Sequence, residues 1–518
     1  MSDRLRMTGL ASGMDTQSIV EQLVEAQSYK KTNLKNEQTK LGWKQEAWKS
    51  LNSKIYSFYT NKLGEMRYDA FFNKKKASIV DSSVATVSAD GSAVNGVQTL
   101  AVKSLAKSEY ITGGKIEGSS SASAASQFLD AGETEKTFNI KVGDGDNAKN
   151  TEITITADMN MNKIASEFAK AGINASYDEK NQRFFLSAKE SGLASKFTIE
   201  AKDESGNYTE AAANEDSFLQ KLKLVGSDAK RIEASDAVIE LNGAEFSSSS
   251  NNFNINGLSI TAAKVSDYTE VDGEKIYTTT NVSTETDVDG IYDSIKDFLK
   301  EYNELVNEMS KLYNAESARD YKPLTDEEKE SMSDEEVEKW ETKIKDSLLR
   351  RDDNLRTALD TLRNGLADGV DIDGQKFTLS SFGIGTLSYF EAADNEKYAL
   401  HIDGNKDDTN TASNTDLLRS AITDNLDQVR NFFKNLTGNV YKTMTKQMQT
   451  SEYRSVYSMY DDKALQKEYD KYTEDIKKEE ERVSDYEDKW YDKFAAMESA
   501  MEKMNSKSNA LAGLMGMS

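Results

Sequence analysis

Larger apolar side chains recur through the C-terminal stretch at Leu465, Tyr469, Tyr472, Ile476, Val483, Tyr486, Trp490, Phe494, Met497, Met501, Met504, Leu511 and Met515. The steps are threes, fours and sevens almost throughout. An average near 3.5 residues gathers them on one stripe of an α-helix, the seam of a coiled coil. Two successive fours, Tyr486 to Trp490 to Phe494, predict a stutter that locally unwinds the supercoil. Neither Gly nor Pro interrupts the run before Gly513. A helix of this length would be a rod of roughly 60–70 Å, and such a rod needs a partner.

The N-terminal pattern offers one. Ile19, Leu23, Ala26, Leu34, Leu41, Trp48, Leu51, Ile55, Phe58 and Leu63 recur at near-heptad spacing, with Lys30 and Gln38 at or beside the seam. Ser18 with Glu21 can form a capping box, and Asp15 is an alternative cap, so the helix should start near residues 15–19. The preceding Gly9-Leu10-Ala11-Ser12-Gly13 reads as flexible chain. Two amphipathic ends can also be separate helices covering separate cores; the length of the C-terminal stripe favours an antiparallel pair joining the two chain ends.

Between these ends the period changes. Alternation at 83–88 and 98–103, punctuated by Gly91 and Gly96, predicts a β-meander from Ile79 onward. Residues 114–126, rich in Gly, Ser and Ala, read as a mobile linker. A hairpin at 138–142 and 153–155, a helix at 161–171 and strands at 175–177, 183–188 and 197–201 predict a small inserted α+β module ending near Gly226. Strands at 237–241, 252–260 and 274–280 should return to the first sheet. Helical spacing resumes at Val288, Ile291, Ile295, Phe298, Tyr302, Leu305, Met309 and Leu312. Capping boxes at Thr325/Glu328 and Ser333/Glu336, a helix at 348–366, a hairpin at 377–387 and 398–402, and helices at 416–433 and 439–448 complete the chain.

The expected fold class is therefore α+β and multidomain, with a terminal α-helical coiled coil, a helical domain and β-rich domains nested by insertion. The expected division is a coiled-coil leg at 1–42 plus 465–518, a mainly helical domain at 43–76 plus 285–464, a β-rich domain at 77–110 plus 232–284, and the inserted module at 111–231.

Composition narrows the functions. Of 518 residues, 65 are Lys or Arg and 89 Asp or Glu, a formal net charge of −24. That excess repels nucleic acid and anionic lipid. No apolar run approaches the length of a spanning helix, and residues 1–20 lack the apolar core of a secretory signal. No Cys is present, which removes disulfides, thiolate metal sites and cysteine nucleophiles. Pro323 is the single proline, where average usage would give roughly 26. A chain nearly free of X-Pro bonds avoids slow isomerisation on refolding.

Candidate chemistry is sparse. His401, the one histidine, has no second His or Cys to share a metal. Asp403, Asn405 and Asp407 have EF-hand spacing, but Asp408 replaces the Gly and Asn414 the Glu that the loop requires. No phosphate-binding GxxxxGK[ST] occurs. These patterns predict neither an active site nor a bound cofactor.

Gly9-Leu10-Ala11-Ser12-Gly13-Met14-Asp15-Thr16, then Ile19-Val20 and Trp43-Lys44-Gln45-Glu46-Ala47-Trp48, resemble the start of flagellar filament cap proteins, also called hook-associated protein 2 or the FliD family. Residues 501–511 resemble that family's C-terminus, and residues 323–328 with 348–352 its C-terminal region. Residues 168–186 are similar to a repeat of flagellar hook and filament proteins.

The resemblance implies a non-enzymatic, homo-oligomeric cap, commonly a pentamer, at the tip of the growing filament. It implies export unfolded through the flagellar type III channel with a cytoplasmic chaperone. Its implied partners are flagellin and the hook-associated junction proteins, with no nucleic acid and no membrane. The assembly residues are then the seam at Ile19, Leu23, Leu34, Leu41, Trp48, Ile476, Val483, Tyr486, Trp490, Phe494, Met497, Met501 and Met504. The tail Leu511, Leu514, Met515 and Met517 would contact chaperone or filament. Both chain ends are expected to order on assembly. Another axial flagellar component and, more distantly, a secreted glycan-cleaving enzyme are the competing readings.

Overall fold

A computed structural model describes residues 13–143, 148–203, 205–210, 215–388, 390, 392–393 and 396–514. The chain forms two compact units, Met1–Phe72 with Val288–Ser518, and Asn73–Asp287.

The first unit is helical. Its N-terminal helix, Thr16–Ser57, is capped by Asp15, whose carboxylate accepts the Ser18 N–H at 3.1 Å. Glu21 accepts from Gln17 instead, so the alternative Ser18/Glu21 box is not formed. The helix runs on through a π-helical turn at Phe58–Leu63. That wider turn accompanies a stack of Tyr59 on Tyr441, with ring centroids 4.2 Å apart, and a bond from its hydroxyl to Thr445 at 2.7 Å.

Helical spacing builds the core. Trp48, Leu51, Ile55 and Phe58 meet Ile295, Phe298 and Tyr302 of helix Val288–Tyr313, Leu355 and Leu359 of Asp353–Ala367, and Phe432, Phe433 and Leu436 of Leu426–Gln447. The capping boxes at Thr325/Glu328 and Ser333/Glu336 both form.

Two boundaries differ from the sequence reading. The helix expected at 348–366 begins at Asp353, because Asp352 caps it through Asn354 and Leu355 and Arg351 takes φ 55°, which ends helix Asp334–Ser347 and its exit turn. The pair expected at 416–433 and 439–448 breaks instead at Asn425. That residue closes Leu417–Asp424 and caps Leu426–Gln447, which runs straight through Gly438. The hairpin expected at 377–387 and 398–402 forms only as a two-residue antiparallel ladder joining Ile384–Gly385 to His401–Ile402, while Gln375–Phe377 pairs with Val370–Ile372.

The second unit holds two separate apolar cores. One lies between a five-stranded antiparallel sheet and a three-stranded one. The first has the order Lys75–Ile79, Thr280–Thr286, Gly96–Ser104, Ala237–Leu241, Ala244–Ser248, and the second Asn252–Ile255, Leu258–Ala262, Ala85–Ala89. The strand expected over 252–260 is thus a hairpin turning at Asn256-Gly257, both at positive φ. The strand expected at 274–280 does not rejoin the sheet: Glu274–Tyr277 pairs with Tyr268–Val271, and Thr280–Thr286 makes the return.

The other core belongs to the inserted module. Its two four-stranded sheets and helix Met161–Lys170 bury Phe138, Ile155, Ile164, Phe168, Phe184 and Phe197. At the neck Glu109, fully buried, accepts from the Arg231 guanidinium at 2.5 Å and from the Ala234 N–H at 3.1 Å. Residues 114–126 are not a loose linker. Gly114 donates to Lys223 O, Ile116 N–H to Gln182 O, and Ser119 Oγ bonds Tyr177 OH at 2.6 Å. A Cβ on Gly114 would lie 2.8 Å from that of Asp228, so this glycine serves close approach rather than freedom.

Candidate functional site

The two terminal helices, Thr16–Ser57 and Asp462–Leu514, lie antiparallel. Gln45 donates to Gln466 at 3.5 Å, Gln38 to Thr473 at 2.7 Å, and Lys30 to Glu479 at 2.5 Å. Lys35 pairs with Glu480 at 2.7 Å, and further out Arg482 reaches the Gln27 carbonyl at 3.3 Å. Gly42 lets the helices close: its Cβ position lies 3.6 Å from the Tyr469 ring. Lys30 and Gln38, the polar interruptions of the sequence stripe, thus become cross-helix bonds.

The seam is partly apolar and partly charged. Leu41, Ile476 and Val483 are buried, while Leu23 and Leu34 are half-buried. Glu479 lies in the seam at 7 % exposure, between Lys30 and Arg482. Bonds from those two cations hold its carboxyl below the ordinary glutamate range, and Lys35 does the same for Glu480.

At the outer end Ile19 is 39 % exposed, whereas its neighbour Val20 and Thr16 are buried. The spacing rule selected the wrong neighbour there, since a one-residue change rotates a side chain by about 100° around the helix. Tyr486, Trp490, Phe494, Met497 and Met501 are half-buried, and the first three rings form an i, i+4 ladder with centroids 6.2 and 5.9 Å apart. Carried outward at equal rise, the register sets Thr16 opposite roughly residue 493. Met504 and Leu511 lie past that level and are 70 % and 58 % exposed. Leu514 ends the helix, and Met515 and Met517 fall outside the described residues.

At its inner end the pair runs into the helical core. Trp48 stacks on Tyr460, planes 7° apart and centroids 5.0 Å apart. Residues 449–461, which sequence reasoning left unassigned, wedge there: Arg454 binds Asp461, Asn354 and the Gln447 carbonyl, and Asn52 ties Tyr457 O and Met459 N. No hydrophobic period marks that turn, so only its Arg and Asp content hinted at it.

Elsewhere the candidate groups are held in local structure. His401 Nδ1 lies 2.6 Å from Asp408. Burial pushes the Asp408 carboxyl up, but His401 and the Asn410 N–H outweigh it and the net direction is down. In the EF-like loop Asp403 accepts from Asn414, Asn405 accepts from the Asp407 N–H, and Asp407 pairs with Lys296. Among the described residues no group of three or more acidic, His or Cys side chains could hold a metal, and no helix is long and apolar enough to cross a membrane.

Residues 12–109 match the model of the flagellar hook-associated protein 2 N-terminus, and residues 234–506 match that of its C-terminus. The second match alone spans more than half of the chain. The chain belongs to the flagellar hook-associated protein 2 family.

Each match includes a member of the helix pair, and residues 110–233 lie between the two matched ranges. Flagellar hook-associated protein 2 of Halalkalibacterium halodurans is 24 % identical over 467 residues, covering 84 % of each chain. A-type flagellar hook-associated protein 2 of Pseudomonas aeruginosa is 24 % identical over 320 residues, 60 % of this chain and 64 % of the relative. Among solved structures, the D1-D2-D3 domains of the flagellar cap protein FliD of Escherichia coli overlay 78 % of this chain and 97 % of their own with a TM-score of 0.50 at 18 % identity. That likeness is one of fold.

Proposed function

We propose that this chain caps the distal end of a bacterial flagellar filament, promotes flagellin assembly beneath it and prevents loss of flagellin to the medium. Membership of the hook-associated protein 2 family supports the place of action. The observation that carries the role is the antiparallel terminal helix pair, whose C-terminal member continues outward with Met504 and Leu511 exposed. Its half-buried charged seam supports a leg that is only marginally stable alone and gains order against partners.

In this reading residues 1–42 with 465–518 form the leg, 43–76 with 285–464 the helical domain, 77–110 with 232–284 the β-rich domain, and 111–231 the inserted module. Three distinct cores among the described residues support such a division. The working state is a homo-oligomer, taken as a pentamer, that meets flagellin and hook-associated junction proteins after export with a cytoplasmic chaperone. Absence of Cys and near absence of Pro suit a chain that is exported unfolded and must refold quickly.

Deleting the gene tests the role. The expected result is cells without filaments and flagellin in the culture medium, reversed by supplying the chain. Normal filaments in the deletion strain would remove the cap reading, and peptidoglycan digestion by the purified protein would favour an enzyme.

A further inference from the structure

Sulfur chemistry in this chain falls to methionine alone, since it has 16 Met and no Cys. The described methionines divide by exposure. Met66, Met161, Met309 and Met444 are fully buried, and Met448 and Met459 are 2 % exposed. At the outer end of helix Asp462–Leu514 the order reverses. Met497 and Met501 are half-buried and Met504 is 70 % exposed, the highest value among the described methionines, with Met14 next at 39 %.

Steps of four and three put Met497, Met501 and Met504 on one face of the helix, where they continue the Tyr486, Trp490 and Phe494 ladder outward. The register brings the N-terminal helix only to the level of roughly residue 493, so all three sulfurs stand beyond its first residue. A thioether is polarisable and adaptable, which suits a stripe that meets different surfaces in turn. The same sulfur is a nucleophile toward peroxide.

We infer that this methionine stripe is a modification site for neutral peroxides, attacked first at Met504, and that its oxidation disables the leg before assembly covers it. A lone pair on Met504 Sδ attacks one oxygen of hydrogen peroxide, the O–O bond breaks and an S–O bond forms. The departing hydroxide takes the proton left on the transferred oxygen and becomes water. Sulfur is thereby oxidised by two electrons to the sulfoxide and the peroxide is reduced. A formal net charge of −24 holds off anionic oxidants but not uncharged hydrogen peroxide, and no thiolate competes for it. The sulfoxide is polar, so a face made to be buried against a partner becomes harder to desolvate. That consequence rests on the cap reading, in which assembly buries the leg; the order of reactivity does not.

The test has two arms. In the first, the dilute full chain is held in hydrogen peroxide and digested, and mass spectrometry counts sulfoxide at each methionine. Met504 should oxidise about tenfold or more faster than Met66, Met309 or Met444, and ahead of Met501 and Met497. Equal rates at the buried and the outer methionines would overturn the inference.

In the second arm, deletion cells supplied with the native chain, or with Met497→Leu, Met501→Leu and Met504→Leu combined, regrow sheared filaments with and without peroxide. Each culture is judged against its own untreated cells. Peroxide should cut regrowth with the native chain about tenfold more than with the leucine variant, which keeps apolar volume without the sulfur. Met501→Gln with Met504→Gln, polar as the sulfoxide is, should lower regrowth without peroxide while circular dichroism stays native. Equal loss with the native and leucine chains, or full regrowth with the glutamine pair, would overturn the inference. Normal filaments in cells lacking the chain would overturn the cap reading and with it the effect on assembly, whereas the first arm alone decides the reactivity of Met504.

Discussion

Between Trp48 and Leu63 the N-terminal helix sinks six large side chains, Trp48, Leu51, Ile55, Phe58, Tyr59 and Leu63, to 4 % exposure or less. Between Thr16 and Leu41 the same helix buries only Val20 and Leu41 among its apolar residues. The inner half is surrounded by three other helices of the core. The outer half has the C-terminal helix as its described neighbour, joined largely through Lys30, Lys35, Gln38 and their partners. Continuous secondary structure therefore hides a break in stability. Helix propensity and length do not stabilise the outer half in water; tertiary burial does, and little is available there. The missing burial is what an assembly can add.

The largest effect should come from the inner half. Trp48→Ala removes a fully buried ring stacked on Tyr460 and should cost about 3–5 kcal/mol of global stability, read from the denaturant midpoint. If the midpoint stays put, the inner half is no more anchored than the outer. Ile476→Ala in the outer seam should cost about 2 kcal/mol, but as local opening: amides of residues 16–40 exchange faster while the global midpoint barely moves. A matching drop in the global midpoint would make the two halves one cooperative unit.

The charged seam gives a pH signature. Glu479 and Glu480 have depressed folded-state values, so their contribution is complete above the ordinary glutamate value of about 4.3 and is lost as pH falls through the folded value below it. With spin labels at Thr39→Cys and Lys471→Cys, added to a chain that has no other cysteine, the interhelix distance should broaden on acidification across that window. Glu479→Gln should broaden it already at neutral pH and flatten the acid response. The smallest effect belongs to the outer tip: Met504→Ser with Leu511→Ser should change the stability of the free chain by no more than about 0.5 kcal/mol yet reduce filament capping in cells. Unchanged capping would remove the tip from the assembly surface.

The helix pair was legible because burial on one stripe writes a period into residues such as Leu41, Ile476 and Val483. At the outer end the same rule chose Ile19 over Val20, since near the tip few neighbours constrain the rotation and several apolar positions compete. Helix ends proved harder than helices. Asn425 and Asp352 start helices through side-chain N-caps that resemble any other Asn or Asp, while Gly438, which fell between two expected helices, sits in open space inside one. The Gly/Ser/Ala run at 114–126 misled for a related reason: small residues permit both mobility and close packing, and only the approach of Asp228 to Gly114 decides between them. Strands Lys75–Ile79 and Ala244–Ser248 escaped notice because edge strands carry Lys, Glu and Ser where a central strand would carry valine. No catalytic constellation could be read from the sequence, and His401, engaged with Asp408, is accounted for within its own loop.

Hydrogen exchange of the full chain, first dilute and then assembled, tests the central claim most directly. The account predicts that amides of residues 48–63 are protected in both states, whereas those of 16–40 and 470–500 exchange far faster in the dilute chain and gain protection on assembly. Equal, strong protection of both halves in the dilute chain would contradict it.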